Sequence, residues 1–194
     1  MVAGAAVTRD DPAATDTDWA RVNAGPWLEQ TLKELRAPVG DGVDLGFSLR
    51  GTLRPYQKTG TRWMSLLAGL GLGACLADDM GLGKTIQLLS LLLLEQARDA
   101  RPRPSLLVAP ASLLANWETE IEKFAPGLRA VIVHPSAMSA NQVKAFTAEQ
   151  ASDCDLAITS YGSLLRIPMF AAADWRFVIL DEAQAIKNPN ARHT

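Results

Sequence analysis

Cysteine, histidine and tyrosine are scarce in this 194-residue chain, with two of each, and aromatic residues make up only 6%. Cys75 and Cys154 sit in no CxxC pair and have no histidine beside them, which excludes a zinc-ligand spacing and a disulfide framework. Both are expected to be reduced, buried thiols. A charge excess of one sign is missing too. Nineteen basic residues against 21 acidic ones leave a net charge of −2, so no global basic surface advertises nucleic acid. Any contact with DNA would depend on local placement. Long apolar runs are absent: the richest stretch, 64–94, is broken by Asp78, Asp79 and Lys84, and neither piece reaches the roughly 18 apolar residues of a membrane span. It reads as core, and no membrane partner is expected. The first eleven residues lack a basic segment followed by an apolar one, so no secretory signal is expected and the cytoplasm is the expected location.

What is there is an ordinary globular composition, 48% hydrophobic and 21% charged, in a length that suits one domain and a small appendage. Residues 1–25 are rich in Ala, Asp and Thr with little periodicity, which predicts a disordered tail. Pro26 then opens a helical pattern in which Trp27, Leu28, Leu32 and Leu35 recur on one face. This short helical arm and a turn-rich linker with Pro38, Gly40, Gly42 and Gly46 occupy 26–50, and the main domain is expected over 51–194.

From there the pattern alternates. Helices are expected over 56–67, 85–97, 112–124 and 141–149, and strands over 74–77, 105–109, 130–133, 156–159 and 177–180. In the third of these helices Leu113, Leu114, Trp117, Ile121 and Phe124 fall on one face, so Trp117 reads as a core anchor. Strands this continuously apolar suit a parallel sheet covered on both faces, the α/β class. In such sheets ligands sit at the carboxyl ends of the strands, where Asp78 to Thr85, Pro110, Ser160 and Asp181 all fall.

Two of those strand ends carry chemistry. Gly81-Leu82-Gly83-Lys84-Thr85 joins an expected strand to an expected helix, the context of a phosphate-binding loop. The glycines let backbone N–H groups turn inward and the helix N-terminus adds positive potential. Lys84 would reach β- and γ-phosphates and Thr85 would offer its hydroxyl to Mg²⁺. The longer GxxxxGK[ST] pattern needs glycine at 78, where this chain has Asp78. The second end is Phe177-Val178-Ile179-Leu180-Asp181-Glu182-Ala183-Gln184. A carboxylate at such a tip can hold Mg²⁺, which suits Asp181, while its neighbour Glu182 orients or deprotonates the attacking water. An Asp-Glu pair by itself is ordinarily a solvated loop. The glycine loop upstream gives this pair its meaning.

Across about 145 residues from Leu49 onward, the chain resembles the Swi/Snf-type branch of superfamily 2 helicase-like ATPases. Leu53-Arg54-Pro55-Tyr56-Gln57 resembles the family's opening motif, 76–85 (LADDMGLGKT) its motif I, and 181–189 (DEAQAIKNP) its motif II, a DEAQ box. Residues 108–117 resemble motif Ia and 158–161 the Ib region; an Asp at 78 is itself part of the family's motif I. The resemblance implies a RecA-like P-loop NTPase lobe that binds ATP and Mg²⁺ through Gln57, Asp79, Met80, Gly81, Leu82, Gly83, Lys84 and Thr85. It implies catalysis by Lys84, Asp181, Glu182 and Gln184, with Thr85 and Asp181 on the metal. Gln57 would recognise adenine, and Pro110, Ser112, Thr159 and Ser160 would face the backbone of double-stranded DNA. Rival readings stand beside two of these: Gln57 only caps a helix, and Ser112 is only an N-cap. The Arg98, Arg101 and Arg103 cluster reads as a solvated loop, with DNA contact the alternative. The family's motif III and second RecA-like lobe are not represented, so a partial, nucleoid-associated translocase motor with little turnover is expected. A stand-alone nucleotide-binding or interaction module is the alternative, and an unrelated P-loop ATPase the third.

Overall fold

The computed structural model describes residues 48–98 and 103–186. The expected tail, the helix begun by Pro26 and most of the linker lie outside the described residues, as does Arg101. Helix α1, Pro55–Gly69, starts on proline, whose missing N–H loses nothing in a first turn. Gln57 closes that turn, its Oε1 accepting from the Arg54 N–H at 2.9 Å. Gln57, Thr61, Met64 and Ser65 form the buried stripe, which packs on α2, Lys84–Arg98. Helix α2 buries Gln87, Leu89 to Leu93 and Glu95, nearly its whole circumference, because α1 covers one side and the sheet another. At its far end the buried Glu95 pairs with Arg98 and with Arg176, the latter on the chain entering the last strand, and accepts from the Ser65 hydroxyl. Arg98 and Arg103 are therefore engaged in the fold, Arg103 pairing with Asp174 at 2.8 Å.

The sheet contains β1 (Ser105–Ala109), β2 (Ala130–Ile132), β3 (Leu156–Ser160) and β4 (Val178–Leu180), all parallel in the order β2-β3-β1-β4. Every residue of β1 and β3 is buried. Alternation decides which face each serves. Leu107, Ala109, Leu156 and Ile158 join α2 and α3 (Leu114–Phe124) in one core cluster, with Trp117 and Ile121. Leu106, Val108 and Ala157 join Val143, Phe146, Ile167 and Phe170 in the other. That second face is covered by short helices: α4 (Ala140–Ala145), α5 (Ala148–Ser152), α6 (Tyr161–Leu164) and α7 (Met169–Ala172).

Three expectations are corrected. Residues 74–77 form no strand and are mostly exposed, so Cys75 is exposed while Cys154 is buried. The helix expected over 141–149 is two helices. Phe146 is extended at φ −64, ψ 124, and Thr147 restarts the chain with a capping box, its hydroxyl accepting from the Gln150 N–H and its own N–H donating to Gln150 Oε1. The helix expected from 112 begins instead as a 3₁₀ turn, Ala111–Leu113, and Ser112 makes no N-cap. Among the described residues no helix is long and apolar enough to cross a membrane.

Candidate nucleotide-binding site

The phosphate loop takes its shape from glycine. Gly81 (φ 83) and Gly83 (φ 76) are left-handed, a conformation that a side chain disfavours. A Cβ on Gly83 would also lie 2.5 Å from Gln57 Nε2. Lys84, the first residue of α2, turns its ammonium back into the loop and donates to the carbonyls of Asp78 (2.7 Å) and Asp79 (3.2 Å). Gln57 and Tyr56 donate to the Leu82 carbonyl at 2.9 and 3.0 Å, so α1 holds the loop from the side. Gln57 closes the first turn of α1 with one end of its amide, as the capping reading expects, and with the other end holds the loop through the Leu82 carbonyl. Met80, 89% exposed, and Leu82 stand at the loop's open side.

Asp78 is bound by Gln87, whose Nε2 donates to Oδ2 at 2.9 Å. Gln87 is fully buried in α2, and its own carbonyl accepts from Thr61. Sequence reading passed over Gln87. The signal was a polar residue on the buried face of an otherwise leucine-rich helix, which needs a partner.

At the second strand end, the Asp181 N–H continues the sheet by donating to the Val108 carbonyl at 2.9 Å. Oδ1 accepts from the Glu182 N–H at 3.0 Å and Oδ2 accepts from the Trp117 indole N–H at 2.7 Å. The Tyr161 hydroxyl donates to the Asp181 carbonyl at 2.8 Å. Burial raises the Tyr161 phenol above its ordinary value, helped by the negative Asp181 and Glu182. Glu182 is the one non-glycine with positive φ among the described residues (φ 49, ψ 47). Such conformations cost on the order of 1–3 kcal/mol and gather where strain serves function. Gln184 donates to the Glu182 carboxylate.

Among the described residues no hydrogen bond joins the loop cluster to the Asp181 cluster, and no group of three or more metal-ligating side chains stands ready for an ion. Mg²⁺ is ordinarily held by one or two carboxylates together with phosphates and water, and the Asp181 carboxylate, aimed by the Glu182 N–H and the Trp117 indole, is a group of that kind. A lysine inside a glycine-built cradle at the start of a 15-residue helix suits polyphosphate. The residues fit Mg-ATP.

The candidates for DNA contact divide. Pro110 is part-exposed and Ser112 exposed, just beyond the end of β1. Thr159 is fully buried, its hydroxyl donating to the Val133 carbonyl at 2.9 Å, and Ser160 is buried with its hydroxyl capping α6 through the Ser163 N–H. Neither side chain presents itself to a phosphate, because the strand they end lies inside the sheet.

A sequence profile of the SNF2-related domain matches residues 56–194. The chain is 40% identical over 148 residues to the putative ATP-dependent helicase/translocase YwqA of Bacillus subtilis, covering 76% of this chain and 16% of that protein. It is 44% identical over 142 residues to helicase SWR1 of Debaryomyces hansenii, covering 72% and 9%. The SWI2/SNF2 ATPase core of Sulfolobus solfataricus in complex with dsDNA superposes with a TM-score of 0.67 at 39% identity, covering 75% of this chain and 29% of that one. A second structure, the Sulfolobus solfataricus SWI2/SNF2 ATPase core domain, gives 0.62 at 38%. The chain therefore spans a small part of the length of these relatives. Matched over most of its residues by profile, sequence and structure alike, the chain belongs to the SNF2-related domain family.

Proposed function

We propose that this chain is the Mg-ATP-binding lobe of a DNA-dependent ATPase that couples hydrolysis to movement along double-stranded DNA. The observation that carries the reading is the loop, where Lys84 lies against the Asp78 and Asp79 carbonyls within a cradle made by Gly81 and Gly83. Lys84 leaves those carbonyls for the β- and γ-phosphates when nucleotide enters, and the loop N–H groups of 79–85 turn to the same anion. Gln57, already against the loop, reads the adenine. Thr85 and Asp181 would hold Mg²⁺, which would supply positive charge against that of the phosphates. Glu182 orients the attacking water and takes its proton, and Gln184 holds the Glu182 carboxylate. Pro110 and Ser112 face the DNA backbone. A second RecA-like lobe supplies the arginines that complete the site, a contribution of about 10³ to 10⁵ in rate for groups of this kind.

The test is calorimetric titration of the chain with Mg-ATP, followed by turnover with and without duplex DNA. Lys84→Ala is expected to weaken Mg-ATP by roughly 10- to 100-fold, the worth of hydrogen bonds to a charged donor, while leaving the circular dichroism spectrum unchanged. Retained affinity would remove Lys84 from the site. Turnover by this chain alone is expected to be slow and indifferent to DNA. Strong DNA stimulation would overturn the assignment of the completing groups to another lobe.

A further inference from the structure

Trp117 sits 6% exposed in the core, yet its ring is only part of what it contributes. Indole N–H is a donor and never an acceptor, and buried without a partner it would cost about 1–3 kcal/mol. Here it donates to Asp181 Oδ2 at 2.7 Å, the short end for an N–H bond to a carboxylate. The partner is the very carboxylate assigned to Mg²⁺. Asp181 is held at every polar atom: N–H to Val108, carbonyl from Tyr161, Oδ1 from the Glu182 N–H and Oδ2 from Trp117. The last two fix the carboxylate's rotation about its side-chain bonds. Each oxygen keeps lone pairs beyond those used, so the group stays able to face an ion or its water. Trp117 comes from α3 and Tyr161 from the start of α6, elements on opposite faces of the sheet. Two sides of the molecule thus close on one residue.

We propose that Trp117 is a positioning residue for the metal site, with Tyr161 as its counterpart: the indole aims the Asp181 carboxylate and the phenol fixes the backbone that carries it. The inference rests on the reading of Asp181 as the Mg²⁺ carboxylate. Outer partners of metal ligands typically set about 10- to 100-fold of metal affinity.

The experiment measures apparent metal affinity of the chain with saturating ATP, using Mn²⁺ as the paramagnetic probe and Mg²⁺ in competition, beside ATP affinity in EDTA. Trp117→Phe keeps the apolar ring and removes the N–H. It is expected to weaken metal binding about tenfold and leave ATP affinity in EDTA unchanged, a split that loss of packing alone would not produce. Tyr161→Phe is expected to act in the same direction and decides the matter should Trp117→Phe fail to fold. Asp181→Asn separates the two levels of the argument. If it leaves metal affinity intact, the reading of Asp181 falls and this proposal with it. If it weakens metal binding while Trp117→Phe and Tyr161→Phe do not, the metal assignment stands and the positioning role is refuted.

Discussion

Asp78 stands where a longer phosphate loop carries glycine, and its partner explains how the chain accommodates it: Gln87 takes the carboxylate, while Lys84 takes the carbonyl of the same residue. The two cysteines show how far environment separates identical residues. Burial pushes the Cys154 thiol from 9.0 to about 11, with the neighbouring Asp155 charge adding to it, whereas Cys75 is exposed. Stability from this group is complete below pH 9; above it the unfolded chain releases a proton that the folded chain keeps, and the contribution is lost as pH rises toward 11. Cys154→Ala is therefore expected to flatten the fall of the urea midpoint between pH 9 and pH 11. A thiol reagent at pH 8 should titrate one cysteine in the native chain and two in denaturant; two in the native state would contradict the burial of Cys154. The expectation that both thiols are buried holds for Cys154 and fails for Cys75. Ala74-Cys75-Leu76-Ala77 reads as a strand, yet these residues form none, and Ala74, Cys75 and Ala77 are exposed.

At the scale of elements, β1 is central, flanked by β3 and β4, and Leu107 in its middle points at the cluster formed with α2 and α3. Leu107 is 0% exposed and Leu165, at the end of α6, is 53% exposed. Leu107→Ala is expected to destabilise by about 2–5 kcal/mol, through lost transfer energy and a cavity, and Leu165→Ala by no more than about 0.5 kcal/mol. Urea unfolding checks both. Elements with a strong period were legible: α1, α2, α3 and the buried runs β1 and β3 lie where their apolar patterns put them. Boundaries were legible only where local chemistry marks them. Thr147-Ala148-Glu149-Gln150 is a capping box inside an apparently continuous helical pattern, and it wins because it satisfies two N–H groups at once.

At the scale of the whole chain, β4 is one of the two edges of the sheet, the other being β2. Val178 and Leu180 are 59% and 44% exposed. A parallel strand with apolar side chains and an unpaired edge among the described residues favours pairing with other chains. Sedimentation is expected to show concentration-dependent association that Val178→Lys weakens, because an edge charge must be desolvated on pairing. Sedimentation as a monomer at all concentrations would contradict this. The α/β class, the phosphate loop and the strand-end acids are readable from the chain's order of residues alone, because each depends on a period or on a run of adjacent residues. Family resemblance added the roles of Gln57 and of the segments around Pro110 and Tyr161. It takes the folded chain to turn Thr159 and Ser160 inward, to bring Gln87 to Asp78, and to join Trp117 and Tyr161 at Asp181. These are pairings between residues far apart in the chain, and no local propensity encodes them: they exist because parallel strands bring their carboxyl ends, and the helices that cover them, to one edge.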